Sequence, residues 1–209
     1  MEKSIKVPYG PGVAEYVEKK SRFIGQIFPV STAEEAQEQI RALQKKYWDA
    51  THNVYAYILE NGVMRFSDDG EPQGTSGMPT LEVLKKEGVC NVLCVTTRYF
   101  GGTLLGAGGL VRAYSHAAKI ALEAAGVAEM VPFSLLELRC PYDLYDPVRK
   151  LLPDFEAEEK HAEYGADITV TIALPAEQRE ALCLRLTDLS RGRLSPRHTG
   201  DLRLPKRIG

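Results

Sequence analysis

The sequence lacks the features that mark exported, membrane-spanning and metal-dependent proteins. Only four cysteines occur in 209 residues, and no two of them form the C-x-x-C pair typical of zinc sites and dithiol redox centres. The first ten residues contain no apolar signal segment, and no run approaches the roughly 18 apolar residues of a membrane span. The four histidines show neither i,i+4 pairing nor an H-E-x-x-H pattern. We therefore expect a cytoplasmic protein with reduced thiols, no membrane contact, no metal and no cofactor.

Net charge is also small. A formal charge of -2 argues against the global attraction that drives non-specific nucleic-acid binding. The distribution is uneven, however, because residues 92–122 contain no acidic residue but do contain Arg98, Arg112 and Lys119. Residues 185–209 contain seven Lys or Arg against two Asp. Two segments are therefore candidates for contact with an anion.

The first part of the chain predicts strands mixed with helices. Residues 15–30 are predicted to form a single strand. A helix should follow, because Ser31–Glu35 carries the capping-box spacing ahead of an apolar stripe at steps of three and four. Segments 52–59 and 64–67 flank Asn61-Gly62, which predicts a hairpin.

The later elements complete the first domain and predict a second one. Residues 89–97 form a predicted buried strand, followed by a glycine-rich segment and a helix ending near Gly126. The last third predicts strand 133–140, helix 142–152, strands 156–164 and 167–174, helix 176–189 and a strand near Leu202. That βαββαβ order is ferredoxin-like. The predicted class is α+β with domains at 1–130 and 131–209, joined through residues 127–132.

The glycine-rich segment is the main candidate for binding. Five glycines between Gly101 and Gly109 would let backbone N–H groups approach a phosphate at a helix N-terminus. The same glycines are equally compatible with a tight turn packed on the sheet, and the P-loop Lys-Ser/Thr is absent. Likewise, an Arg-Tyr-Phe run (98–100) suits either base stacking or closure of the core. The predicted nucleic-acid or phosphate site consists of Arg98, Tyr99, Gly101, Gly102, Gly106, Gly108, Gly109, Arg112, His116 and Lys119.

A second candidate segment is rich in carboxylates. The loop DDGEPQGTSG, residues 68–77, packs three carboxylates, three glycines and a proline. Its acids could hold a cation, but the pattern favours carboxylates that cap turns or pair with arginines. His52 could act as a base, although a lone strand histidine is more often structural. This set consists of His52, Asp68, Asp69, Gly70, Glu71, Pro72 and Thr75.

Four segments together resemble the signature of the YigZ/IMPACT family. They are SRFIG at residues 21–25, the His52 strand, DDGEPQGTSGMP at 68–79 and TRYFGGTLLGAGGLVRAY at 97–114. The resemblance covers residues 1–126, with Ser76 where the family usually has alanine. It implies an N-terminal α/β sandwich like domain 2 of a small-subunit ribosomal protein and like elongation-factor domains. It also implies a C-terminal ferredoxin-like domain similar to the last domain of elongation factor G.

The family resemblance directs the functional hypotheses toward translation. Eukaryotic relatives restrain the general-control kinase that senses uncharged tRNA, but with an additional N-terminal domain that this sequence lacks. The favoured hypothesis is therefore a translation-associated binding protein, not an enzyme, contacting RNA, the ribosome or a translation factor through the glycine loop and adjacent basic face. One alternative is a nucleotide- or phosphometabolite-dependent enzyme in which Asp68, Asp69 or Glu71 holds magnesium. Another is a protein-binding adaptor with an apolar groove between its domains.

Overall fold

The computed structural model describes residues 5–208. The chain divides into two compact units, the first comprising the chain up to Met130 and from Pro205 onward, the second comprising Val131–Leu204. Residues 1–4 and Gly209, which belong to the predicted domain ranges, lie outside the described residues. Each unit contains both sheet and helices, so the predicted two-domain α+β class is confirmed.

The first unit is built around one antiparallel sheet of five strands in the order β2-β3-β6-β4-β5. Its elements in chain order are β1 Lys6–Pro8, β2 Gly12–Glu18, β3 Ser21–Pro29, α1 Ala33–Lys46, β4 His52–Ile58, β5 Met64–Ser67, α2 Gly77–Glu87, β6 Val92–Tyr99 and α3 Ala107–Ala125. The predicted helix start is confirmed, because the Glu35 N–H donates to Thr32 Oγ1 at 3.2 Å. The predicted hairpin is β4-β5.

Helices cover both faces of this sheet. Ile40 of α1 packs with Leu93 and Val95 on one face. Leu110 of α3 packs with Phe23 on the other. Because successive strand residues point to opposite faces, neighbouring residues of β6 belong to different surroundings. This alternation determines which residues after Thr97 share a site.

Residues 15–30 form a hairpin, not the single strand predicted. β2 and β3 pair antiparallel, with Glu18 opposite Ser21. The turn between them consists of Lys19 and Lys20, whose φ angles of 46° and 67° are left-handed. Glycine or asparagine normally marks such a turn, so two lysines gave no turn signal.

The second unit has the predicted βαββαβ order. Its elements are β7 Val127–Cys140, α4 Tyr142–Leu151, a 3₁₀ turn Leu152–Phe155, β8 Glu158–Tyr164, β9 Ile168–Pro175, α5 Arg179–Ser190 and β10 Arg197–Arg207. The first four residues of β7 and the last three of β10 belong to the first unit. β7 pairs with β10 on one side and with β9 on the other, and β9 pairs with β8. Leu138, Ile172 and Leu182 are among its fully buried core residues.

Residues 127–132 are the start of β7, where the sequence predicted a junction. The sequence placed the junction there because one α/β segment ends at Gly126 and another begins after Pro132. Pairing of β7 with β9 begins at Phe133, directly after Pro132. Within residues 5–208, no helix combines the length and apolarity that crossing a membrane requires.

Candidate functional site

The carboxylate loop and the glycine loop meet in one pocket. His52, Gly70, Glu71 and Pro72 line one part of it, and residues 100 and 104–107 line another. Its volume is about 370 Å³. Two segments that are about 30 residues apart in sequence thus form a single site, which we call the loop pocket. The alignment of β4 beside β6 brings them together, since His52 lies opposite Arg98.

A buried ion pair forms the floor of the loop pocket. Arg98 Nη1 donates to Glu71 Oε1 at 2.5 Å, and the Tyr114 hydroxyl donates to the same oxygen at 2.7 Å. Arg98 is only 4% exposed. Burial, and then the bond to Glu71, raises the pKa of Tyr114, so this hydroxyl stays protonated and donates. Arg98 is therefore not the surface cation that the sequence predicted, because its charge is matched by Glu71.

Asp68 caps the start of α2. Its carboxylate accepts from the N–H groups of Gly74 and Gly77, both at 2.8 Å, and from the Ser76 hydroxyl at 2.7 Å. Partial burial acts to raise the pKa of Asp68, but these hydrogen bonds outweigh it and hold that pKa below its ordinary value. Ser76, where the family usually has alanine, thus adds a hydrogen bond.

The three carboxylates of the loop do not converge. Asp68 caps a helix, Asp69 accepts from the Asn53 N–H at 2.5 Å, and Glu71 pairs with Arg98. Within the described part of the chain, no three His, Cys, Asp or Glu residues are grouped so that they could hold a metal ion. Turn-capping and ion pairing therefore account for these acids, and the magnesium hypothesis finds no ligand set here.

His52 faces the loop pocket in a fixed orientation. Its Nδ1 lies 2.7 Å from the Asp69 carbonyl oxygen, and its Nε2 lies 3.8 Å from Glu71 Oε2. Because a carbonyl only accepts, Nδ1 carries the proton of the neutral ring. Nε2 lies on the side of the ring that faces the Glu71 carboxylate.

Most glycines of the glycine loop are required by the backbone. A Cβ on Gly101 would fall 2.0 Å from the carbonyl carbon of Lys20. Gly102 and Gly106 have φ angles of 81° and 72°. Gly108 is different, because a Cβ there would meet only Arg112 Nη1, at 3.8 Å. The tight-turn interpretation thus explains three of the glycines. It does not explain Gly108, which is exposed to solvent.

A second cavity lies on the other side of the α3 start. Tyr16, Lys19, Arg112 and His116 line it together with Leu105, and its volume is about 260 Å³. We call it the basic cleft, although Glu18 also lines it. The His116 ring packs edge-on against Tyr16 with centroids 4.7 Å apart. Sequence reasoning found Arg112 and His116 but missed Tyr16 and Lys19, because the β2–β3 turn was not recognised.

Two predicted site residues lie elsewhere. Lys119 is exposed but lines a different cavity, with Glu87 and Glu123. The Tyr99 hydroxyl donates to Asp49 Oδ1 at 3.0 Å, on the α1 face of the sheet. The predicted Arg98–Tyr99–Phe100 stacking group is therefore split by strand alternation, and only Arg98 and Phe100 line the loop pocket.

Two of the seven cations in the basic carboxy-terminal segment form exposed ion pairs. Arg193 pairs with Asp143 at 3.0 Å, and Arg197 pairs with Glu137 at 2.8 Å. These pairs reduce the local excess of positive charge that the sequence suggested. The first unit therefore holds the stronger candidate site.

Comparison with known proteins identifies both parts of the chain. The model of the Impact N-terminal domain matches residues 19–122, and a domain of unknown function, DUF1949, matches residues 138–193. The first match contains the carboxylate loop, the glycine loop and most of α3.

Two bacterial relatives match nearly the whole chain. IMPACT family member YvyE of Bacillus subtilis is 38% identical, over 87% of this chain and 85% of that protein. IMPACT family member YigZ of Escherichia coli is 33% identical, over 90% of this chain and 94% of that protein. A protein named IMPACT homolog from Dictyostelium discoideum is 42% identical, but over 43% of this chain and 27% of its own length.

A solved structure shows the same architecture. It is a crystal structure of a hypothetical protein with a TM-score of 0.60 and 31% identity, covering 96% of this chain and 99% of the other. The agreement extends over both units. Together, the domain matches and the full-length bacterial relatives show that this chain belongs to the IMPACT family.

Proposed function

We propose that this protein is a translation-associated RNA-binding protein that contacts single-stranded RNA through the basic cleft and the adjoining glycine loop. Membership in the IMPACT family supports a translation-related role. The contact surface is inferred from the geometry of the first unit.

The observation that carries the proposal is the composition of the basic cleft. Lys19 and Arg112 are both exposed and line one cavity with His116. α3 contains no acidic residue before Glu123, so its first turns do not repel phosphate. The N-terminus of α3 adds about half a positive charge at the edge of the cleft.

The aromatic content of the same surface favours RNA that is not paired. Phe100 is 44% exposed at the glycine loop. Tyr16 lines the basic cleft, where its ring packs against Phe23 and His116. Aromatic side chains beside cations are the usual equipment for stacking unpaired bases along a charged groove. A short local cleft also suits the small net charge better than a long duplex-binding face would.

The experiment compares two double variants in binding of a labelled single-stranded RNA. Lys19→Ala with Arg112→Ala removes the cleft cations, whereas Arg41→Ala with Lys45→Ala removes an exposed pair on α1 as a matched control. Each lost phosphate contact should reduce the slope of log affinity against log salt by about 0.7. The slope of the cleft variant should therefore be smaller than that of wild type by about 1.4.

The control variant should retain the wild-type affinity and slope. If the cleft variant also retained them, the basic cleft would be excluded as the RNA surface. Fluorescence anisotropy over a range of salt concentrations provides both values from one set of titrations.

A further inference from the structure

The loop pocket has the dimensions and walls of a site for one planar ring. Its volume of about 370 Å³ is at the small end of the usual range for ligand sites. Leu104 is 83% exposed and Phe100 is 44% exposed, and both line it. The Phe100 N–H donates to Thr51 Oγ1 at 3.0 Å, which fixes the start of the loop.

Phe100 is prepared for stacking. The Arg98 guanidinium carbon lies 5.4 Å from the Phe100 ring centroid, so a cation already contacts this ring. The ring nevertheless remains partly open to solvent. A large apolar side chain held in this way at the mouth of a pocket offers a surface to a second flat group.

The floor of the pocket presents a carboxylate. Glu71 Oε2 lies there, 3.8 Å from His52 Nε2. Glu71 Oε1 already accepts hydrogen bonds from Arg98 and Tyr114. A carboxylate oxygen accepts a hydrogen bond from an N–H or hydroxyl group of a ligand, and its negative charge excludes a phosphate from the floor.

Donors are found at the rim. The first bond within α3 runs from the Leu110 N–H to the Gly106 oxygen, so the N–H groups of residues 107–109 precede it. The cap residue Gly106 supplies no side-chain hydrogen bond to them. These N–H groups would suit a phosphate at the mouth of the pocket.

Arg98 provides an independent sign that the pocket is incomplete without a ligand. This residue is 4% exposed and lines the loop pocket. Its Nε is a buried nitrogen with no hydrogen-bond partner in the part of the chain that the structure describes. Buried donors are normally satisfied, so an unpartnered one at a pocket points to a missing acceptor.

We infer that the loop pocket holds one unstacked nucleotide of a single-stranded RNA, with its ring against Phe100 and Leu104 and its phosphate at the first turn of α3. A base or ribose donor then reaches Glu71 Oε2 beside His52, and an acceptor of the ligand reaches Arg98 Nε. This inference rests on the proposed function and specifies how the strand is held.

The neighbouring cavity explains why the ligand is part of a strand. Leu105 lines both the loop pocket and the basic cleft. An RNA strand with one nucleotide in the loop pocket can therefore continue past Leu105, and its next phosphates then lie near Lys19 and Arg112. A free mononucleotide would leave the basic cleft without a role.

The test uses a labelled single-stranded RNA of about eight nucleotides, a length typical of one binding module. Phe100→Ala should weaken binding about 10-fold, within the range measured for lost stacking, whereas Phe100→Tyr should stay near wild type. Gly108→Ala should also weaken binding, because its methyl group lies beside the N–H groups at the rim. Leu184→Ala, at a position 68% exposed on α5, is the control and should change nothing.

Salt dependence separates this inference from the proposed function. Phe100→Ala should leave the salt slope unchanged because no charge is removed, whereas the Lys19 and Arg112 changes should flatten it. If wild type bound no RNA, the proposed function would fail and the inference with it. If the cleft variant lost affinity but Phe100→Ala and Gly108→Ala did not, only the loop pocket would be excluded.

A competition experiment distinguishes the two sources of a nucleotide. AMP and UMP are added to the RNA complex, and displacement is followed by anisotropy. We expect AMP and UMP to displace the RNA only at concentrations far above those at which the RNA itself binds, because a mononucleotide cannot reach the basic cleft. Binding of AMP or UMP as tight as that of the RNA would overturn the assignment to a strand.

Discussion

Substitution of Arg98 should be among the most destabilising changes of a charged residue in the first unit. The Arg98 and Glu71 side chains are 5% and 3% exposed. Among residues 5–208, Arg98→Met leaves the buried Glu71 carboxylate with Tyr114 as its remaining hydrogen-bond donor. Removing one partner of a buried pair costs about 3–5 kcal/mol of the free energy of unfolding. That is a large share of the roughly 5–15 kcal/mol that stabilises a typical domain.

The neighbouring strands supply a matched control. Arg22 also pairs with a glutamate, Glu15, at 2.7 Å, but these side chains are 51% and 55% exposed. Arg22→Met should therefore leave the free energy of unfolding almost unchanged, because an exposed ion pair contributes little. Combining Arg98→Met with Glu71→Gln removes the unpaired charge and should recover about 1–3 kcal/mol of the loss.

The assay must report on the first unit alone. Urea-dependent hydrogen exchange of peptides from β6, measured by mass spectrometry, does so because β6 is the central strand of that sheet. If the free energy of unfolding of the Arg98→Met protein were within about 1 kcal/mol of that of wild type, the assignment of Arg98 to a buried, energetically coupled network would be refuted.

Three further results are expected. Gly101→Ala should cost at least about 1–3 kcal/mol because its Cβ would overlap the Lys20 backbone, whereas Gly108→Ala should keep or slightly raise the melting temperature. Asp68 has a folded pKa below its unfolded value of about 3.9, so it stabilises above that pH and the contribution is lost as pH falls through the folded pKa. Urea titrations should therefore show Asp68→Asn less stable than wild type at neutral pH, with the difference narrowing below about pH 4; a constant difference would contradict this. Burial raises the pKa of Cys94 to about 12, so iodoacetamide at mildly alkaline pH should modify it only after unfolding, as peptide mass spectrometry would show.

Local patterns predicted most of the fold. The Thr32–Glu35 cap, the Asn61-Gly62 hairpin and the glycine loop before α3 each rest on residues close together in sequence, and each is present. The β2–β3 turn was missed because lysines occupy left-handed positions that usually belong to glycine or asparagine.

The candidate site was less accessible to sequence reasoning. The glycine and carboxylate loops were both singled out, but their meeting in one pocket depends on the pairing of β4 with β6. Arg98 looked like a surface cation because its partner Glu71 is 27 residues away in sequence. Alternation along β6 also separates it from Tyr99, which a one-dimensional motif cannot show.

The central claim, that the first unit holds RNA at the glycine loop and basic cleft, is tested most directly by ultraviolet crosslinking in cells followed by mass spectrometry of the RNA-linked peptides. We expect crosslinks in peptides that contain Tyr16 and Phe100, and their loss from the Lys19→Ala, Arg112→Ala variant. Absence of RNA above background, or crosslinks confined to Val131–Leu204, would contradict the claim.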